Sequence, residues 1–571
     1  MRKASKILAL TMAMLLVFVA ACSNGNTNTG TDSKGNTADS GTPAANASNE
    51  GDKLEPITVT MFATDLNTNY ENMQSPVGKK ITELTGVTLQ IDYPVGDPQQ
   101  KISLMAASGE YPDLVFAKND VNMLVEAGGL VDLAPLIEEH GPNIKKLYGD
   151  YLKRLRWSKD NDAIYFLGTY GVNDQRWEPN DGFMLQHAVV KELGYPEIKT
   201  VQDFENAIRA YMEKYPTIDG QPTLGLSLLA DDWRIAQSVT NPGVFSTGGS
   251  DDGEWYIDDN NQKPVIHYTR PEEKEYFKWL NHMYNSGLID PESFVQKYDQ
   301  YKAKIASGRV LALIDSGWQF RDPQLALRQE GKDERTYGVY PVQVNESTKN
   351  RDFQSAGYSG GVGVGISTSA KDPVRLIKFL DWLCSEEAQI LNNWGIEGEH
   401  YTVVDGKRVI DPEEMKKRNT DPLYGKQTGI GVYLYPFPEQ GRGVLDSTGN
   451  TFKIDSKEQI INKYSDIEKE VLAAYGVELW ADLYPKQEEF PVKPWGSAWQ
   501  INIPQDTDGA IYMQKITELV RKRIPEMILA KPEAFDGLWD AFQTDLDKAG
   551  VHKLEEQFEG LLKERIELFN G

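Results

Sequence analysis

The chain has 571 residues, a formal net charge of −25 and two cysteines, Cys22 and Cys384. The acidic balance argues against a nucleic-acid partner, because there is no basic excess to replace phosphate counterions. Some 520 residues beyond the N-terminal leader exceed one ordinary hydrophobic core, so two or more domains are expected.

The leader reads MRKASKILALTMAMLLVFVAAC. Arg2, Lys3 and Lys6 form a basic head, and Ile7 to Val19 is an apolar run short of the roughly 20 residues a membrane span needs. That pattern predicts a signal peptide over 1–21. Val19-Ala20-Ala21-Cys22 is similar to a bacterial lipobox, in which the Cys thiol takes a diacylglyceryl group; the plainer alternative is cleavage after Ala21 with Cys22 left over. Residues 22–54 offer almost no bulky side chain and are predicted to be a lipidated Cys and a disordered tether. Acyl chains on Cys22 would place the chain on the extracellular face of a cell membrane. With Cys22 acylated no internal disulfide forms, and Cys384, in phase with Val374, Ile377 and Leu380, reads as a small core hydrophobe.

From Ile57 the pattern is α/β. Ile57–Phe62 and Val87–Tyr93 alternate as strands. Ser75-Pro76 opens a helix that Gly86 closes, Asp97-Pro98 opens another that ends near Gly109, and Leu114–Phe116 is a short apolar strand. Strand, helix, strand, helix, strand with short links predicts a parallel sheet, whose ligands sit beyond the carboxyl ends of the strands. Those ends are residues 63–67, with Asp65 and Asn67, and 117–120. Further along, 157–167 reads as a hairpin with its tip at 159–162, 200–215 as a helix, 223–229 as a strand, 271–285 as a long amphipathic helix and 310–314 as a buried strand. The last third is chiefly helical: 372–392, a helix around Val471, 511–529 with Pro525 expected to kink or split it, and 532–569.

Several stretches resemble the extracellular solute-binding proteins of ABC importers, carbohydrate-type family 1. They are KWLNHMYNSGLIDPESF at 278–294, KIASGRVLALIDSGW at 304–318 and KDPVRLIKFLDWLCSEEAQ at 371–389. NWGIEGEHYTVVDGK at 393–407 resembles a Gram-positive oligosaccharide-binding lipoprotein branch of that family. The resemblance implies a two-lobed, periplasmic-binding-protein-like α/β fold (type II) with hinge crossovers and a helix-rich C-terminal part. The N-lobe is expected at 55–167 plus 308–358 and the C-lobe at 168–307 plus 359–571, with crossovers near 165–170, 305–309 and 356–361. Tyr358–Gly365 is glycine-rich enough to turn at a hinge, or to form a plain strand edge. Some relatives carry a calcium loop; the corresponding 213–225 here has one Asp and lacks the alternating ligands, so no metal is expected.

No cofactor and no catalytic step are expected. The six His are scattered without H-E-x-x-H, and no phosphate-binding glycine loop occurs. A sugar site instead needs flat aromatics for the C–H faces of the rings, and carboxylates, amides and Arg for the hydroxyls. Trp residues in polar, loop-like contexts are therefore the candidates: Trp177, Trp233, Trp318, Trp394, Trp495 and Trp499. Trp318 leads, because it follows the 310–314 strand. Asp65, Asn67, Arg176, Asp232 and Tyr358 are the expected polar and hinge-side partners. The expectation is a monomeric lipoprotein, with no nucleic-acid partner, that binds an oligosaccharide between its lobes and delivers it to an ABC permease. The alternatives are a surface carbohydrate-active enzyme, or a binding protein for peptides or other polar oligomers.

Overall fold

The computed structural model describes residues 55–179 and 181–570; the leader, Cys22 and the predicted tether lie outside the described residues. The first lobe opens with β1 (Ile57–Ala63), α1 (Pro76–Thr85), β2 (Val87–Asp92), α2 (Pro98–Ser108), β3 (Leu114–Phe116) and β4 (Leu167–Gly168). The second lobe holds β5 (Asp181–Gln186), α3 (Val201–Lys214), β6 (Leu224–Ser227), α4 (Glu273–Asn285), α5 (Tyr298–Ala306), β7 (Val310–Ser316), α6 (Arg321–Gln329) and β8 (Tyr337–Tyr340). The chain then returns to the first lobe with β9 (Gly363–Ile366), α7 (Pro373–Leu383), α8 (Glu386–Trp394) and α9 (Pro412–Thr420). It finishes on the second lobe with α10 (Asp508–Leu529), α11 (Phe535–Ala549) and α12 (Val551–Asn570).

Local chemistry accounts for the early elements. Ser75 Oγ accepts the Gly78 amide at the start of α1, and Gly86 ends that helix with a φ of 70°. Asp97 and Gly109 bracket α2 in the same way. The first sheet has the order β2-β1-β3-β9-β4, with β1, β2 and β3 parallel and β9 antiparallel to its neighbours. The second has the order β8-β5-β7-β6, and β7 is buried along its whole length. Both sheets are open. Phe183, Phe204, Phe277 and Leu311 belong to a core that extends into α10–α12, while Met61, Val77, Leu114 and Leu380 fill the core of the first lobe. This is the two-lobed, periplasmic-binding-protein-like α/β fold.

The strand pairings correct the expected lobe division. Val310–Ser316 pairs with β5 and β6, so it belongs to the second sheet and not to the N-lobe. Gly363–Ile366 pairs with β3 and β4, so the segment after 359 begins in the first lobe. Alternation and burial read a strand from sequence, but they do not say which sheet receives it. The crossings therefore run through 169–180, 341–362 and 438–459. No crossing occurs at 305–309, which simply joins α5 to β7.

The three crossings are tied together. Thr169 donates to Val362 O (2.9 Å), and Gly441 donates to Val172 O (2.8 Å). A side chain on Gly168 would collide with the Gly360 carbonyl, and one on Gly363 with the Leu167 carbonyl, so glycine here serves close backbone approach. Gly360 and Gly361 also take φ values of 79° and 72°.

Smaller expectations also shift. The 157–167 hairpin is only a tight turn, with Ser158 and Asn161 bridged. The 372–392 helix is two helices, broken at Cys384–Ser385, where Ser385 caps the second. Cys384 is buried, and burial pushes its thiol well up, as befits a core residue. α10 continues through Pro525.

Candidate functional site

The carboxyl ends of β1 and β3 put Asp65 and Lys118 side by side, 2.7 Å apart. Tyr435 donates its hydroxyl to the same Asp65 Oδ2 (2.8 Å) and packs edge-on against Phe116, the last residue of β3, with centroids 5.1 Å apart. Tyr170, two residues past β4, stands edge-on to Trp499 at 6.3 Å. Both tyrosines remain partly open to solvent.

The second lobe contributes two tryptophans from its own strand ends. Trp318 follows β7 and is 59% exposed; Trp233 follows β6 and is 42% exposed. Their rings stack at 6.0 Å with an interplanar angle of 17°. Lys118 of the first lobe lies 5.7 Å from the Trp233 ring centre, so this contact crosses between the lobes. Arg234 covers the Trp233 ring at 4.9 Å and Tyr298 at 4.2 Å, and it pairs with Asp232. Asp232 has a φ of 47° and also accepts the Arg234 amide (3.0 Å), which sets the turn that presents Trp233.

The Trp318 turn rests on buried polar groups. Asp315 accepts from Tyr301 Oη (2.7 Å), Gln319 Nε2 (2.6 Å) and the Ser316 amide (2.7 Å). Burial pushes the Asp315 carboxyl up to about 6, although these donors work against the shift. Beside it, Ser316 Oγ donates to Asp181 at the start of β5. Burial, reinforced by Asp251 and Asp352, pushes Asp181 up to about 7. The exposed indole is thus held on a floor whose Asp315 carboxyl accepts three hydrogen bonds. Two open, near-parallel indoles beside a carboxylate, an ammonium and a phenol make a surface suited to a ring with apolar faces and hydroxyl edges.

The structure brings together Asp65, Asp232, Trp233 and Trp318 of the expected residues. Asn67 lies close by in a fixed role: it accepts the Asn69 amide (3.0 Å) and donates to Val432 O (3.4 Å). The other candidates are placed elsewhere. Arg176 pairs with Asp352 (2.9 Å) and covers Phe353, joining two of the crossings. Trp177 packs half-buried against the second-lobe core. Tyr358 is buried against Tyr148 and Tyr151 at the hinge. Trp394 is buried and donates to Thr451 O (3.0 Å). Trp495 is buried and donates to Asp252 Oδ1 (3.1 Å). Polar neighbours in sequence are a poor guide to exposure for these residues, because an indole N–H draws one polar partner inward with it.

Lys118, Tyr170, Arg234 and Tyr435 were not singled out from the sequence. Lys118 was within reach, since 117–120 was recognised as a strand end; Tyr435 lies 370 residues from its partner Asp65. Segment 213–225 forms the end of α3 and a two-residue hairpin in which Asp219 faces Lys332 (3.5 Å). It does not offer a calcium ligand set. A separate polar cavity of about 180 Å³ lies between residues 248–260 and Arg351, walled by the Arg351–Asp259 pair and away from the tryptophan stack.

The model for the bacterial extracellular solute-binding protein family matches residues 77–393. The chain belongs to that family. Members bind solutes rather than transform them, so the chain is a binding protein and not an enzyme. Among individual relatives it is 23% identical to the lipoprotein LipO of Bacillus subtilis over 405 residues, covering 69% of this chain and 77% of LipO. Among solved structures it is similar to the alginate-binding protein AlgQ2 without calcium ion, with a TM-score of 0.63 and 19% identity over 89% of this chain and 98% of that one. It is also similar to the Streptococcus pneumoniae ABC-transporter substrate-binding protein FusA in complex with kestose, with a TM-score of 0.63 and 17% identity over 89% of this chain and 99% of that one. By sequence alone the FusA match spans 56% of this chain and 60% of FusA.

Proposed function

We propose that this solute-binding protein captures an oligosaccharide between its lobes and hands it to an ABC permease, as a monomeric lipoprotein tethered through Cys22 to the outer face of the cell membrane. The observation that carries the reading is the Trp233–Trp318 stack, which leaves two indoles open to solvent at the strand ends, opposite Asp65, Lys118 and Tyr435. Large exposed aromatics at the mouth of a sheet have no packing purpose and suit sugar faces. Lipoprotein and oligosaccharide roles among the similar proteins support the same reading. Binding draws the lobes together by motion at the glycine-rich crossings, and the closed form is what the permease accepts.

The test is calorimetry and thermal shift against a panel of defined oligosaccharides, with oligopeptides as the comparison class. A cognate sugar at ~100 times its Kd should add about 2.7 kcal/mol of stability. Stabilisation by peptides alone would overturn the assignment.

A further inference from the structure

Sugars presented to such a cleft fall into two chemical classes, neutral and acidic. The charges on the aromatic wall discriminate between them. Three cations stand there: Lys118, Arg234 and Lys297. Each is already matched by a carboxylate of its own. Lys118 pairs with Asp65 (2.7 Å), Arg234 with Asp232, and Lys297 with Asp231 (2.7 Å). Behind the wall lie further acids, Asp315 and Asp181 on the floor of the Trp318 turn. None of these three cations is left free beside the indoles. An incoming uronate would have to displace Asp65, Asp232 or Asp231 from its partner while facing a chain of net charge −25.

We propose that the cleft selects uncharged oligosaccharides, and that Asp65, by occupying Lys118, is the residue that excludes acidic ones. This rests on the oligosaccharide reading above. Lys118 is the pivotal cation because it reaches both lobes, paired with Asp65 on one side and lying near the face of Trp233 on the other. Released from Asp65, it would present an ammonium at the point where a sugar ring meets the indole. Tyr435 also donates to Asp65, so a neutral amide there keeps an acceptor for the phenol while removing the charge that holds Lys118. The rival source of acidic recognition is Arg321 at the start of α6, which is exposed and has Arg418 and Lys463 as charged neighbours.

The test compares matched pairs of equal length, such as mannotriose against trimannuronate and galactotriose against trigalacturonate, by calorimetry on the wild-type chain and on Asp65→Asn. The wild type should bind at least one neutral member at least 100-fold tighter than its acidic counterpart. Asp65→Asn should narrow that ratio at least tenfold through gained affinity for the acidic sugar. The gain should weaken with added salt and vanish in the Asp65→Asn/Lys118→Met double variant. Gained binding cannot arise from misfolding. A wild type that prefers the uronide, or an Asp65→Asn ratio unchanged from wild type, overturns the proposal. If Arg321→Ala then abolishes uronide binding, the acidic site is at α6. Binding of neither class by folded protein overturns the oligosaccharide reading itself and this inference with it.

Discussion

Trp318→Ala separates a binding residue from a structural one. The indole is 59% exposed and its ring contact is the stack on Trp233. An aromatic pair is worth about 0.5–1.5 kcal/mol beyond area burial. A lobe of about 250 residues shifts by roughly 2–4 °C per kcal/mol, so the free protein should melt within a few degrees of wild type. The turn itself should persist, because Asp315, Gln319 and Tyr301 hold it without the indole. Binding should suffer more. Truncating a central Trp commonly costs about 2 kcal/mol, or roughly 30-fold in Kd. Calorimetry with the cognate sugar and thermal melts of the free protein measure the two effects independently. Trp495→Ala is the control. That indole is 1% exposed and bonded to Asp252, so its loss should cost about 3–5 kcal/mol of stability. A Trp318 variant that melts like the Trp495 variant, or binds sugar like wild type, would refute the reasoning.

Gly168→Ala should cost more than about 2 kcal/mol and lower soluble yield, since its methyl meets the Gly360 carbonyl at the hinge; a wild-type melting curve would contradict that packing. Asp181→Asn should raise the melting temperature at pH 8 and leave it unchanged at pH 4. The folded carboxyl is pushed up to about 7, so the native state binds its proton more tightly than the unfolded chain does, and stability is lost as pH rises between about 4 and 7. Equal effects of the substitution at both pH values would exclude that carboxyl as the titrating group.

Fold class was legible because it depends on local signals. Ser75 and Gly86, Asp97 and Gly109, and the alternation over 57–62 each act within a few residues. The lobe division failed because it depends on pairing partners. Val310–Ser316 is apolar enough for the middle of either sheet, and only its register against β5 and β6 decides. The site was half legible for the same reason. Asp65 and Trp318 follow strand ends, and a strand end is a local inference. Tyr435 reaches Asp65 from a late crossing segment that no periodicity connects to β1. Trp394 and Trp495 sit in polar stretches yet are buried, each with its indole N–H satisfied by one partner.

His187 carries the pH prediction of opposite sign to Asp181, and the two oppose each other between about pH 4 and 6.5. The imidazole is fully buried and stacks on Trp480 at 5.7 Å, with neither ring nitrogen hydrogen-bonded. Burial, the leading cause, lowers its pKa to about 4 from an ordinary 6.5. The unfolded chain therefore binds this proton before the native state does. Stability is intact above about 6.5 and is lost as pH falls toward 4, by up to about 3 kcal/mol. Asp181 contributes a fall of similar size over the same range, so the His187 effect is read in an Asp181→Asn background, where melting curves should rise between pH 4 and about 6.5. In His187→Gln that rise should flatten, whatever the substitution does to the absolute melting temperature, because the amide does not titrate. An undiminished slope in the variant would assign acid sensitivity to other groups. The decline contributed by Asp181, beneath the Trp318 turn, should span about pH 4 to 7 and be seen alone in His187→Gln. Sugar affinity measured across the same range should respond to Asp181→Asn rather than to His187→Gln, because Asp181 lies beneath the Trp318 turn.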